Sequence, residues 1–179
     1  MDGEDTASHS TYRPVAVYAS DVNGDGITEL PRAVLMAGYK DTSSSDAVYM
    51  LDWYAYGIGK VPAKVATTYQ NISDAWSLLI DQKWHDRITA IKANDGGLSY
   101  VEFFEYRKNK ISIPLFNIYC ATGSNREYYA ERTDLIQLGQ TTQAIYFAKL
   151  TNDGEQSELA LTGDEIKARF SLVNQAWNN

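Results

Sequence analysis

The 179-residue chain has one cysteine, four prolines, two histidines and no apolar run near the roughly 18 residues of a membrane-spanning helix. Cys120 alone cannot form an internal disulfide, and in "IPLFNIYCATG" it reads as a small apolar residue on a strand. Basic charge is also scarce: 16 Lys and Arg stand singly among 23 Asp and Glu, for a formal charge of -7 and a pI near 4.8. Such a chain offers no electrostatic footprint for a phosphate backbone, so nucleic acid is not an expected partner. The opening "MDGEDTASHSTYR" lacks the basic start and apolar stretch of a secretory signal, which leaves a cytosolic protein or one part of a longer precursor.

Catalytic signatures are missing too. There is no G-x-S-x-G, H-E-x-x-H or C-x-x-C, and no glycine-rich phosphate loop. His9 lies in the polar tail, and His85 next to Asp86 cannot form a relay unless the fold brings a nucleophile to them. No spacing marks a carboxylate pair for glycoside hydrolysis. The chain therefore reads as a non-enzyme, with a hydrolase of cell-wall or dietary polymers using unmarked carboxylates as the alternative.

What is present is enough for one core: 44% hydrophobic residues in a length too short for two ordinary domains. Disorder is excluded by the Leu, Ile, Val and Tyr content. Alternation places strands at "PVAVYAS", from Ile27 through "AVLMAGY", and in "DAVYMLDWYAYG". Further strands are read at "KVATTYQ", "SYVEFFEYR", "ISIPLFNIYCA", "LIQLG", "QAIYFAKL" and "SELAL". "NDGG", "RKNK", "GSNRE" and "NDGE" between them supply turn residues, and residues 151–155 read as a hairpin turn. Residues 73–91 fit either a helix or strand, turn, strand. At the end, Thr162 and Glu165 form an S/T-x-x-E capping box, and Ile166, Phe170, Val173 and Trp177 then repeat at helical spacing.

The acids are concentrated, since nine acids against three bases in the first 52 residues supply six of the seven net negative charges. Within them, "DVNGDGITE" places Asp21, Asn23 and Asp25 at alternate positions, then Gly26 for a sharp turn, the Ile27 carbonyl, and Glu29. A hard cation such as Ca2+ takes six to eight such oxygens. An EF-hand would need a bidentate Glu at position 12, where Arg32 stands, so the helix–loop–helix form is rejected. The loop resembles those of FG-GAP and integrin-type propeller repeats, which carry an acid at position 9, usually Asp where this chain has Glu29. That resemblance implies calcium held by Asp21, Asn23, Asp25, Ile27 and Glu29. One loop does not supply the several four-stranded blades of a propeller.

Aromatics are the other surplus: 13 Tyr and 4 Trp, with Trp53, Tyr54 and Tyr56 on one strand. Strand alternation sets Tyr54 and Tyr56 on one face and Trp53 on the other, either as core or as a stacking platform for a glycan or cell-wall peptide.

Across residues 66–179, "WSLLIDQKW", "ITAIKA", "VEFFEY", "PLFNIYCATG", "LIQLGQTTQAIYFAKL" and "LTGDEIKARFSLV" succeed one another. This succession resembles uncharacterised surface lipoproteins of Gram-positive bacteria with a PsbP-like pattern, departing from it where Asp81 replaces a proline before Trp84. The resemblance implies strand, short turn, strand over the ambiguous segment. It also implies an extracytoplasmic, cell-surface location as part of a longer precursor. The expectation is one α+β domain over residues 1–179, a mostly antiparallel β-sheet with a C-terminal amphipathic helix packed on it. Residues 1–13 would be a polar tail, 14–60 the calcium-loop strands, and 61–179 the PsbP-like sheet and helix. Its role would be a calcium-binding module with a ligand-binding or structural function and no membrane insertion.

Overall fold

A computed structural model describes residues 14–43, 45–95 and 98–173. Its strands, in chain order, are β1 Leu30–Leu35, β2 Tyr49–Ala55, β3 Ala63–Asn71, β4 Trp76–Leu79, β5 Ile88–Asp95, β6 Leu98–Arg107, β7 Lys110–Thr122, β8 Ile136–Gln140, β9 Ala144–Leu150 and β10 Phe170–Leu172. Two short helices, α1 Asn125–Ala130 and α2 Gly163–Arg169, interrupt them. All pairings are antiparallel, in two five-stranded sheets ordered β1-β2-β3-β4-β10 and β5-β6-β7-β9-β8.

One apolar cluster joins the sheets. In the first, Met50, Tyr69, Leu78 and Phe170 occupy one register row. They face Phe103, Phe116, Ile118 and Tyr146 of the second. Ring contacts cross the gap at 5.3 Å between Tyr69 and Phe103 and 5.5 Å between Tyr146 and Phe170. The tight turn after β6 is explained locally: Lys108 and Asn109 both have positive φ, as a two-residue type I′ hairpin turn requires. Pro114, which has no N–H to give, sits on β7 just before the stretch that β9 pairs, Phe116–Thr122.

Residues 73–91 form β4, a 3-10 turn at Gln82–Trp84, and β5. Asp81 caps that turn by accepting the Lys83 N–H at 3.1 Å. Trp84 is fully buried and donates Nε1–H to the Leu159 carbonyl at 3.1 Å. The chain passes from one sheet to the other here, so the indole anchors the crossover.

The expected α+β fold with a packed amphipathic helix is not what forms. Strand accounts for 47% of the structure and helix for 12%, and α2, with seven residues, is the longest helix described. The capping box does start it: Thr162 Oγ1 accepts the Glu165 N–H at 3.2 Å and Glu165 accepts the Thr162 N–H at 2.8 Å. Ile166 is buried, but at Phe170 the backbone turns extended and pairs with β4. Val173 N–H continues that pairing to the Ala75 carbonyl at 2.9 Å. The open edge of β4 supplied unpaired backbone groups, and satisfying them outweighed two more turns of helix. Trp177 lies outside the described residues, as does the 1–13 tail with His9.

Three smaller expectations also change. The "PVAVYAS" stretch forms no strand and keeps only a single bridge, Ser20 with Glu29. "SELAL" is not a strand, and residues 151–155 lead into a 3-10 turn at Gly154–Gln156 instead of a hairpin. The step from residues 14–60 to residues 61–179 comes between β2 and β3 of one sheet.

The acidic loop and the aromatic strand

The loop at 21–29 is closed at its neck by the bridge of Ser20 and Glu29, whose N–H and C=O groups exchange bonds of 3.0 and 3.1 Å. Inside it, Asp21 Oδ1 accepts the N–H groups of Gly24 at 2.7 Å and Asp25 at 3.2 Å, and Oδ2 accepts that of Gly26 at 2.9 Å. These bonds, that of Gly26 foremost, hold the Asp21 carboxyl below its ordinary range. Gly24 and Gly26 have φ of +77° and +83°, the left-handed backbone that a side chain resists, which is why the curl carries glycine at both. Asn23 Oδ1 accepts the Asp25 N–H at 3.0 Å while its amide donates to Asp25 Oδ2 at 2.9 Å. Asp25 Oδ1 accepts the Ile27 N–H at 2.8 Å.

Glu29 differs from the rest. The residue is 0% exposed, Oε2 accepts the Val22 N–H at 3.0 Å, and Oε1 has no partner among the described residues. A buried carboxylate oxygen without a donor is costly, so this atom marks an incomplete arrangement. Its bond to Val22 ties the carboxylate across the loop to the residue between Asp21 and Asn23 in the chain. Among the described residues no three His, Cys, Asp or Glu side chains converge on one point as a ready metal cage. The hard oxygens are near one another in the chain, but the Asn23 amide rests against Asp25 where a cation would need both.

The three aromatic candidates separate. Trp53 is 1% exposed and its Nε1–H donates to Thr68 Oγ1 at 2.9 Å, so its ring is part of the protein interior and no platform. A bulge between Trp53 and Tyr54 shifts the register there. Tyr54 is half-buried and Tyr56, just past the end of β2, is exposed. Neither lines the 270 Å³ cavity beside Pro14, Leu51, Gln70 and Lys92, nor the 480 Å³ depression beside Asn117, Tyr119 and Lys149. His85 Nδ1 bonds Asp86 at 3.0 Å on an exposed turn.

Glu105 and the Tyr69 hydroxyl are among the buried polar groups that the sequence reading did not single out. Glu105 is fully buried, receives Ser157 Oγ at 2.7 Å, and is met by Arg107 and, at 3.7 Å, by Arg87. It shares the inward parity of Val101 and Phe103, so period-two counting on β6 would have found it. Tyr69 has a buried hydroxyl without a partner among the described residues, and burial, helped by Asp74 and Tyr39, raises its pKa strongly. Tyr69 lines the 270 Å³ cavity. Compared with known families, with characterised proteins and with solved structures, the chain shows no match.

Proposed function

We propose that this chain is a non-catalytic, calcium-stabilised module of a bacterial cell-surface protein, with a structural role for the ion. The observation that carries the reading is the buried, unpartnered Glu29 Oε1 at the neck of a loop bearing Asp21, Asn23 and Asp25. A buried carboxylate oxygen is satisfied either by a donor, of which the described residues supply none, or by a cation. The side chains of Asp21, Asn23, Asp25 and Glu29 with the Ile27 carbonyl would hold Ca2+, an oxygen-only set that suits a hard ion. Binding would draw the Asn23 oxygen and Asp25 to the ion and release their amide contact. Bound calcium would offset the repulsion of three carboxylates within nine residues.

An exterior location goes with this reading. Extracellular calcium modules have Kd of roughly 0.1 to 1 mM, which the exterior fills and cytosol does not. At about 1 mM free calcium the stabilisation RT ln(1 + [L]/Kd) is about 0.4 to 1.4 kcal/mol. The test is a thermal melt in calcium, in magnesium and in chelator. Calcium alone should raise the midpoint by a few degrees, since magnesium gives up its waters reluctantly. Equal midpoints in calcium and chelator would return residues 21–29 to an ordinary turn.

A further inference from the structure

The 270 Å³ cavity lies where β2 begins and β3 ends, walled in part by Ser45 and Val48 from the chain before β2, by Tyr69 and Gln70 of β3, by Ser73, and by Lys92 of β5. Alternation shows how far in it goes. Tyr69 shares its row with Met50 and Leu78, which face the second sheet, and Lys92 is the register partner of the buried Val101. The cavity therefore opens on the gap between the two sheets at this end.

Four polar side chains on its wall are unengaged among the described residues. The Tyr69 hydroxyl has no partner, and the side chains of Gln70, Ser73 and Lys92 make no hydrogen bond or ion pair. The hydroxyl matters most, because Tyr69 is 1% exposed and a buried O–H left unbonded is costly. Burial, then Asp74, then Tyr39 raise its pKa, so it stays a protonated donor. The Tyr39 hydroxyl itself donates to the Ala90 carbonyl at 2.7 Å, which sets the Tyr69 hydroxyl toward the part of β5 that carries Lys92.

These groups define what fits. Lys92 on the wall disfavours a cation, and Asp74, close enough to act on the Tyr69 hydroxyl, disfavours an anion. A neutral ligand is left. Two hydroxyls, an amide and an ammonium ask for partners, so that ligand carries several oxygens able both to donate and to accept. A cavity of about 150 Å³ takes the six carbons of benzene, so 270 Å³ takes about ten to twelve heavy atoms.

We infer that this cavity binds a neutral polyhydroxylated ligand of monosaccharide size. The Tyr69 hydroxyl holds it at the buried end, and the half-buried Gln70 with the exposed Ser73 and Lys92 hold it at the mouth. The Gln70 amide sets an oxygen beside an NH2, which matches two neighbouring hydroxyls. A free sugar and the end residue of a glycan share this chemistry. The site is separate from the aromatic strand, since Trp53, Tyr54 and Tyr56 do not line it.

The experiment is saturation-transfer NMR on the full chain, in chelator so that the outcome is independent of the calcium reading. The probes are glucose, galactose and mannose, each with its methyl glycoside, against benzyl alcohol and acetate. At least one sugar should receive saturation and raise the thermal midpoint at millimolar concentration. Equal binding of sugar and glycoside would support the site as one for a glycan end, and binding of the sugar alone as one for a free solute. Tyr69→Phe removes only the oxygen; it should weaken binding by about tenfold and leave the sugar-free midpoint unchanged or higher, because no bond is lost. Gln70→Ala, at the mouth, should weaken binding similarly. The inference fails if no sugar binds, if benzyl alcohol or acetate binds in place of the sugars, or if both variants bind sugar as the native chain does.

Discussion

Glu29→Gln separates a calcium ligand from a merely buried acid. The substitution keeps the length of the side chain and an oxygen able to accept the Val22 N–H now held at 3.0 Å. It removes the negative charge and puts an amide NH2 where the unpartnered Oε1 stands. In chelator, one unsatisfied buried group replaces another, each costing about 1 to 3 kcal/mol, so native and variant should melt within a few degrees of each other. In calcium the two should part. The native chain gains about 0.4 to 1.4 kcal/mol at about 1 mM ion, and at about 2 to 4 °C per kcal/mol for a chain of this size its midpoint rises by roughly 1 to 6 °C. The variant lacks the buried acid and should gain nothing. Differential scanning fluorimetry of both proteins over a calcium series reads the difference directly. An equal calcium shift in native and variant would show that Glu29 is no ligand and would remove the observation on which the site rests.

Other outcomes follow from single contacts. Phe170→Ala deletes a ring packed at 5.9 Å from Trp76 and 5.5 Å from Tyr146. It should cost about 3 to 5 kcal/mol, a fall in midpoint of roughly 6 to 20 °C; an unchanged melt would mean β10 is not docked. The Asp21 carboxyl lies below its ordinary 3.8, so its contribution is present above that pH and is lost as pH falls through the lower folded value. Asp21→Asn should therefore flatten the acid limb of a midpoint-against-pH curve, and an unaltered limb would count against the backbone cradle. Burial pushes the Cys120 thiol up to about 11, so a thiol reagent at pH 8 should label it only on unfolding; rapid labelling of the folded chain would contradict its placement in the core.

Much of the β architecture could be read from period-two patterning, because a half-buried strand writes its burial into alternate residues. Val101, Phe103 and Glu105 show this, and the left-handed pair Lys108 and Asn109 lies in the "RKNK" stretch that reads as turn residues. The acidic loop was equally legible, since its glycines and short polar side chains act on backbone within a few residues. Misreadings came where local pattern met an unseen neighbour. Ile166 and Phe170 both reach the core, one from a helix and one from a strand, and a spacing of four cannot tell these apart.

Local chemistry in the sequence was thus sufficient for most of the strand periodicity, the two-residue turn at Lys108 and Asn109, the capping box and the curl of residues 21–29. Only the tertiary structure decided that β4 and β5 part into different sheets, that Trp53 is covered on the face opposite Met50 while Ile58 is held in water, and that Glu29 is buried with an oxygen unpartnered among the described residues. The physical reason is range. Backbone dihedrals and caps answer to residues within one turn, whereas burial, an open strand edge or an orphaned oxygen depends on which distant segments arrive to cover it, and no local spacing encodes that.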